Sequence, residues 1–339
     1  MSQIVLFQRQ LSWPTDWSKV FDREAPFVVE IGFGGGHFLV DLAQKRPYQN
    51  ILVVEISIPS IQRGERKIRN LGLTHCKILQ TDAQFLLQML CKPESIQEIY
   101  INFPDPWRKA AHHNRRLINL HFLELLATRM VNNGRLDIAT DHADYQDVIT
   151  ETLENTPYFY SRAETIFNLE DPERLRTKYE LKAIQEGRIC KYYKWARNEL
   201  APATPFLPPQ EVEMPHIVLQ TPLTLDDIQS AYQPLKADSQ NIYVKLTEMF
   251  KSNDGQKLFI EAYVNEKPLA QRVGILIRER EDNEIIILLH EVGFPRSTTG
   301  LHLAIAKIAN WILNLNESGE IKKSNLQFSI SELDKVEVS

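Results

Sequence analysis

Through the first 200 residues, short apolar runs alternate with longer segments in which apolar and polar positions recur at helical spacing. Phe27–Ile31, Asn50–Glu55, Cys76–Gln80, Ile96–Ile101 and Arg135–Ala139 are rich in Val, Ile and Leu and too short for helices, so they predict strands. Between them, Gly36–Lys45, Ser60–Asn70, Ala83–Leu90 and Arg116–Asn132 predict helices. Strand–helix alternation at these spacings is the pattern of an α/β, doubly wound parallel sheet, which binds its ligands beyond the carboxyl ends of its strands. Tyr158–Ala163 and Ile189–Trp195 are strand-like too. Only a loop and a short helix fit between them, so the expected sheet has seven strands with an antiparallel final strand.

The pattern changes after Ala201–Gln210, where four prolines fall in ten uncharged residues. Such a stretch forms neither a helix nor an inner strand and predicts a linker. The expected organisation is therefore a first domain over 1–200, a linker over 201–210 and a second domain over 211–339. In the second domain, His216–Gln220, Asn241–Met249, Lys257–Val264, Arg272–Glu279 and Asn283–His290 predict strands, and Thr224–Lys236 and Gly300–Asn314 predict helices. This is the pattern of a small α+β module with helix on antiparallel sheet, and its residues specify no chemistry.

Charge sharpens the division. The whole chain carries −5, but residues 211–339 hold 13 Lys/Arg against 19 Asp/Glu. Basic residues cluster at Arg108-Lys109, at Arg115-Arg116 and along Arg174–Arg197, which holds eight Lys/Arg against Glu180 and Glu186. Local clusters say more about an anionic partner than the global sum. The three cysteines are scattered, so neither a disulfide framework nor a zinc site is expected. No run approaches the ~18 apolar residues a membrane span needs. Without a secretory pattern at the start, the expectation is a cytoplasmic protein with no membrane partner.

Glu30-Ile-Gly32-Phe-Gly34-Gly-Gly36-His37 sits where the first predicted strand hands over to a helix, and it concentrates four of the 13 glycines. A dinucleotide fingerprint needs a third glycine at the sixth place; that place holds His37 or Leu39, depending on the starting glycine. A Walker loop would need Gly-Lys-Ser/Thr, also missing. The remaining pattern, acid-x-Gly-x-Gly-x-Gly, resembles the first motif of class I S-adenosylmethionine-dependent methyltransferases. Glu55 ends the second predicted strand, where a carboxylate can accept both ribose hydroxyls, and Asp82 follows the third, near the expected adenine. The resemblance thus makes Glu30, Gly32, Gly34, Gly36, Glu55 and Asp82 the candidate cofactor site; the plainer reading is a simple strand–helix turn with acids as helix caps.

After the fourth predicted strand comes Asn102-Phe-Pro-Asp105-Pro-Trp107-Arg-Lys109, followed by Arg115-Arg116, Ala139-Thr-Asp141 and Thr177-Lys178-Tyr179-Glu180. These motifs, in this order, resemble the bacterial tRNA (guanine-N7)-methyltransferases, which act on the guanosine at position 46 of the tRNA variable loop; the resemblance spans about residues 5–198. It implies a Rossmann-like class I methyltransferase fold, S-adenosylmethionine as cofactor and tRNA as substrate. It also implies substrate contacts at Lys109 and Asp141, with Thr177, Lys178, Tyr179 and Glu180 shaping the guanine pocket. Guanine N7 already exposes a lone pair, so the chemistry needs alignment more than a strong base. A carboxylate on the guanine donors orients the base and favours the developing positive charge, the role expected of Asp105 on its Pro-flanked turn.

Lys109, Arg115 and Arg116 are expected as phosphate contacts, Arg174–Arg197 as an RNA track, and Trp107 as either a stacking surface or a pocket filler. Aromatics interleaved in that track (Tyr179, Tyr192, Tyr193, Trp195) are either base platforms or core residues. His112-His113 lacks a third ligand, so no metal is expected. Another nucleobase methyltransferase and a noncatalytic RNA-binding protein are the alternatives, and the oligomeric state, monomer or homodimer, stays open. The acidic second domain favours a structural or partner-binding role over tRNA gripping.

Overall fold

The computed structural model describes residues 3–172, 174, 176–239 and 241–330. The chain divides into two compact units, Met1–Leu207 and Pro208–Ser339.

In chain order the first unit contains β1 (Val5–Phe7), α1 (Trp17–Phe21), β2 (Phe27–Ile31), α2 (His37–Lys45), β3 (Asn50–Glu55), α3 (Ile58–Asn70) and β4 (Cys76–Gln80). It continues with α4 (Ala83–Phe85), which runs into a wider π-type turn at Leu86–Leu90, then β5 (Ile96–Asn102) and a 3-10 segment, Ala110–Arg115. The remainder is α5 (Leu120–Arg129), β6 (Met130–Thr140), α6 (Ala143–Asn155), β7 (Phe159–Ser161), α7 (Lys178–Gln185) and β8 (Lys191–Arg197).

These strands form one sheet in the order β1-β4-β3-β2-β5-β6-β8-β7. All pairs from β1 to β6 are parallel, and β8 runs antiparallel to both β6 and β7. The expected doubly wound sheet with an antiparallel final strand is therefore present. It has eight strands instead of seven, because β1 adds an edge beside β4. The central strands are buried on both faces: Val28, Val29, Ile51, Leu52, Val53, Ile78 and Leu79 are shielded from solvent. That is why they read as continuous apolar runs and not as alternating ones.

α5 is shorter than the helix expected from Arg116. The Asn119 side chain accepts a hydrogen bond from Phe122 N (2.9 Å) and so caps the helix start, while the chain passes directly into β6 at Met130. Part of the proline-rich stretch is tied to this unit. Arg129 Nη2 donates to the Phe206 carbonyl at 2.6 Å, and the Phe206 ring meets His121 edge-on at 5.0 Å.

The second unit contains β9 (His216–Gln220), α8 (Leu225–Ala231), β10 (Leu235–Ser239), β11 (Ile242–Lys251), β12 (Lys257–Glu266), β13 (Leu269–Glu279), β14 (Glu284–Leu289), α9 (Thr299–Leu315) and β15 (Glu320–Ser324). Its strands form an antiparallel sheet in the order β10-β11-β12-β13-β14-β9-β15. Leu301, Ile305, Ile308 and Ile312 of α9 pack into one apolar core with Val244, Ile260, Ile275 and Ile287 of the sheet. This is the α+β module expected. The helix expected through Lys236 stops at Ala231, because Pro234 cannot donate within a helix, and the chain turns into β10 instead.

Candidate active site

The parallel strands β2 to β6 end on one edge of the first sheet; Glu30, Glu55, Asp82, Asp105 and Asp141 lie in a strand, at that edge or just beyond it, and Glu180 lies on α7. β2 hands over to α2 through Gly32, Gly34 and Gly36, whose φ angles of +73°, +52° and +68° are ones side-chain-bearing residues rarely adopt. Phe33 folds back from this turn against α3, where a Cβ on Gly64 would lie 2.4 Å from its ring. Lys67 of the same helix donates to the Gly35 carbonyl at 2.7 Å. The turn is thus braced from beneath by α3, with its backbone N–H groups at the positive end of α2.

Glu55, at the end of β3, faces this turn. One of its oxygens accepts from Gly34 N (3.3 Å) and the other from Ile56 N and Ser57 N (2.9 and 3.0 Å). Directly after it, Ile56 and Ile58 are exposed apolar side chains that the sequence reading did not single out. Asp82, one strand over, caps α4 by accepting from Phe85 N at 2.8 Å and is exposed. Its geometry is that of a helix cap.

Glu30 is different in kind. It is 1% exposed, and its Oε1 accepts from the Asn102 side-chain amide at 3.2 Å. Its Oε2 is buried with no hydrogen-bond partner. Burial pushes the carboxyl up to about 7, with the Glu55 charge adding to the rise and the Asn102 hydrogen bond and Arg174 charge working against it. A buried, unpartnered carboxylate oxygen beside an open backbone turn suits a cationic donor such as an amino group.

Asn102 ends β5 and starts the Asn102–Lys109 loop. Phe103 and Trp107 both carry positive φ (51° and 45°), and Phe103 N is anchored on the Ala139 carbonyl at 2.7 Å. Asp105 is exposed on this loop, three residues beyond the Glu30-bonded amide. Lys109 and Arg115 are exposed as well; the Arg115 guanidinium lies over the Trp107 ring at 5.1 Å, and His112 meets that ring edge-on.

Arg116 stands apart from its neighbour. It is 7% exposed, donates from Nε to the Pro106 carbonyl at 2.8 Å, and sits over the Tyr145 ring at 5.1 Å. Its charge supports the Asp105 loop from inside. Nothing in a paired-Arg sequence tells which of the two turns inward.

Beyond β7 the chain returns to this edge. Thr177 and Glu180 form a reciprocal capping box at the start of α7, with Glu180 N to Thr177 Oγ1 at 3.1 Å and Thr177 N to Glu180 Oε2 at 3.2 Å. Glu180 is 1% exposed and also accepts from the Tyr192 hydroxyl at 2.7 Å. Lys178 and Tyr179 lie on the same helix, and their side chains fall outside the described part of the structure. Arg174 joins the two sides of the site: its Nη2 donates to Asn102 Oδ1 at 2.6 Å, and its Nε is 3.5 Å from Glu180 Oε2. Asp141, just past β6, is paired with Arg188.

The basic segment is therefore largely occupied internally. Arg174, Arg188, Lys194 and Arg197 bond to groups within the first unit, while Arg176 is exposed. Tyr192, Tyr193 and Trp195 are all buried, so these aromatics of β8 belong to the core. Among the described residues no group of three or more His, Cys, Asp or Glu is arranged to hold a metal ion. No helix among them is long and apolar enough to cross a membrane.

The sheet order, the glycine turn and the acids along one edge define a class I methyltransferase domain, and a family model described as "Putative methyltransferase" matches residues 24–192. The chain is 32% identical to the tRNA (guanine-N(7)-)-methyltransferase of Thermus thermophilus, over 81% of this chain and 86% of that one. It is 30% identical to the same-named protein of Deinococcus radiodurans (88% and 94% covered), and 28% identical to that of Thermotoga maritima (87% and 92%). The chain belongs to the tRNA (guanine-N(7)-)-methyltransferase family. These alignments extend well past residue 207, so the second unit is shared with such relatives.

Proposed function

We propose that this chain transfers a methyl group from S-adenosylmethionine to N7 of the guanosine at position 46 of tRNA. The observation that carries the reading is the junction at Asn102: one amide ties the buried Glu30 carboxyl, at the glycine turn, to the root of the Asp105 loop. Cofactor cradle and acceptor loop are thus adjacent on one sheet edge.

The residues present fit the cofactor. Glu30 Oε2 offers a buried acceptor for its amino group, Glu55 faces the turn where ribose hydroxyls would lie, and exposed Ile56 supplies an apolar surface for adenine. Its caps satisfied, Asp82 borders the adenine side without a required bond. When bound, the cofactor supplies an electrophilic sulfonium methyl.

The protein's own part is to orient and to exclude. Asp105 accepts from the guanine N1–H and exocyclic amine, which turns N7 toward the methyl and offsets the charge the purine acquires. Trp107, fixed between Arg115 and His112, presents an aromatic wall beside it. Lys109 and Arg115 meet phosphates, whereas Arg116 holds the loop. Thr177, Lys178, Tyr179 and Glu180 form the far wall of the pocket; buried Glu180 acts through the helix start it caps, and Asp141 through its pair with Arg188.

Titration of the full chain with S-adenosylhomocysteine tests the cofactor half of this reading. Binding at micromolar concentration is expected, with Glu55→Ala weakening it about tenfold or more through the lost charge-assisted hydrogen bonds. Equal affinity in wild type and variant removes Glu55 from the site.

A further inference from the structure

We propose that Arg174 is a positioning residue that fixes the orientation of the Asn102 amide, and through it makes the cofactor-side acid and the Asp105 loop one coupled unit. This rests on the reading above.

An asparagine amide has an acceptor end and a donor end, and it can turn over by rotation of its last torsion. Here the two ends have different partners: Nδ2 points at Glu30 Oε1 (3.2 Å) and Oδ1 at Arg174 Nη2 (2.6 Å). A guanidinium only donates, so its presence forces the oxygen of Asn102 toward itself and the NH2 toward Glu30. That is the orientation which favours an ionised Glu30. If the amide turned over, its oxygen would face the carboxyl, a contact tolerable only when Glu30 is protonated. Arg174 therefore selects the charged state of Glu30 in two ways, by its own charge and by the dipole it orients.

Arg174 is itself held. Its Nε lies 3.5 Å from Glu180 Oε2, and its guanidinium is 4.7 Å from the Phe38 ring centre and 5.8 Å from that of Tyr192. Phe38 belongs to α2, the helix that follows the glycine turn, and Tyr192 donates to Glu180. The chain of contacts runs from the capping box of α7 through Arg174 and Asn102 to Glu30. Both partners joined by Arg174 lie far from it or across a helix start in sequence, so the coupling exists only in the folded domain. The other titratable groups acting on or beside Glu30 are the Glu55 carboxylate and the buried Cys76 thiol; Tyr100, its register partner on β5, has its phenol committed to Glu98 at 2.7 Å. Arg174 is the cation acting on Glu30 among the described residues.

An ionised Glu30 accepts the protonated amino group of the cofactor more strongly than a neutral one. The pH dependence of binding therefore reports on Arg174, which mere support of the fold would not move. S-adenosylhomocysteine affinity is measured on the full chain between pH 6 and 9 for wild type, Arg174→Gln and Arg174→Lys. Wild-type affinity is expected to rise with pH and level off above the Glu30 midpoint. In Arg174→Gln the midpoint moves up by about one pH unit, so binding weakens about fivefold at pH 7 and approaches tenfold at pH 6, and it recovers at the alkaline end. Arg174→Lys keeps a cation without the guanidinium fork and falls between the two. An unchanged midpoint in both variants, with wild type binding normally, overturns the Arg174 assignment alone. A wild-type chain that binds no S-adenosylhomocysteine at any pH overturns the functional reading and this inference together. Should Arg174→Gln fail to fold, the Arg174→Lys profile decides.

Discussion

Glu30→Gln separates the stability of the first unit from its function. The wild-type carboxyl is shielded from solvent and pushed from an ordinary 4.5 up to about 7. Below pH 4.5 both folded and unfolded chains hold the proton, so the group has no effect. Between 4.5 and 7 the unfolded chain ionises while the fold resists, so stability falls as pH rises; above 7 the loss is complete. At 1.36 kcal/mol per pH unit the full loss is about 3 kcal/mol. Glutamine keeps the shape and still accepts from Asn102 but cannot ionise, so the variant avoids this cost.

Urea unfolding at pH 5 and pH 8.5 measures the difference, followed by tryptophan fluorescence, since Trp13, Trp17, Trp107 and Trp195 lie in the first unit and only Trp311 in the second. The variant is expected to exceed wild type by no more than about 1 kcal/mol at pH 5 and by up to about 3 kcal/mol at pH 8.5. It should also bind S-adenosylhomocysteine more weakly, because the stored cost is the reason for the charge. A variant less stable at pH 8.5, or a difference that ignores pH, refutes the reasoning.

Asp105→Ala should lower methyl transfer about 100- to 1,000-fold while leaving S-adenosylhomocysteine affinity near wild type, because the carboxylate acts on the acceptor base; single-turnover kinetics beside calorimetry shows whether the two separate. The adjacent arginines should behave oppositely. Arg116→Ala leaves the Pro106 carbonyl unsatisfied and should cost about 2 kcal/mol in unfolding free energy. Arg115→Ala should leave stability within about 0.5 kcal/mol and reduce the salt slope of tRNA binding by about one. Identical behaviour of the pair in both assays would discard the distinction.

What the sequence made legible was whatever is local. β2, β3 and β4 match their expected bounds to the residue, because each is a short, mostly apolar run bounded by polar residues or by Pro26 and Gly32. The glycine turn and its neighbouring acids were legible for the same reason: the strained φ angles that demand glycine lie within five consecutive residues. β1 was missed because three residues at a sheet edge leave no period to detect. α6 was missed although Tyr145, Ile149 and Leu153 recur every four residues and all are buried, a signal that was there to be read.

The rest was hidden because it depends on partners distant in the chain. Arg174 and Asn102 are 72 residues apart, as are Asn102 and Glu30. No spacing rule reveals that a basic segment resembling an RNA track spends Arg174, Arg188, Lys194 and Arg197 on the domain's own carboxylates, amides and carbonyls. A run of like charges records composition; burial decides which of them reach a ligand.

The most direct test of the account is to incubate the full chain with unmodified tRNA and methyl-labelled S-adenosylmethionine, digest the RNA, and map the labelled nucleoside. The account predicts 7-methylguanosine at position 46 and no label elsewhere. Label on another base or another atom, or tRNA recovered without label while the protein demonstrably binds the cofactor, would contradict it.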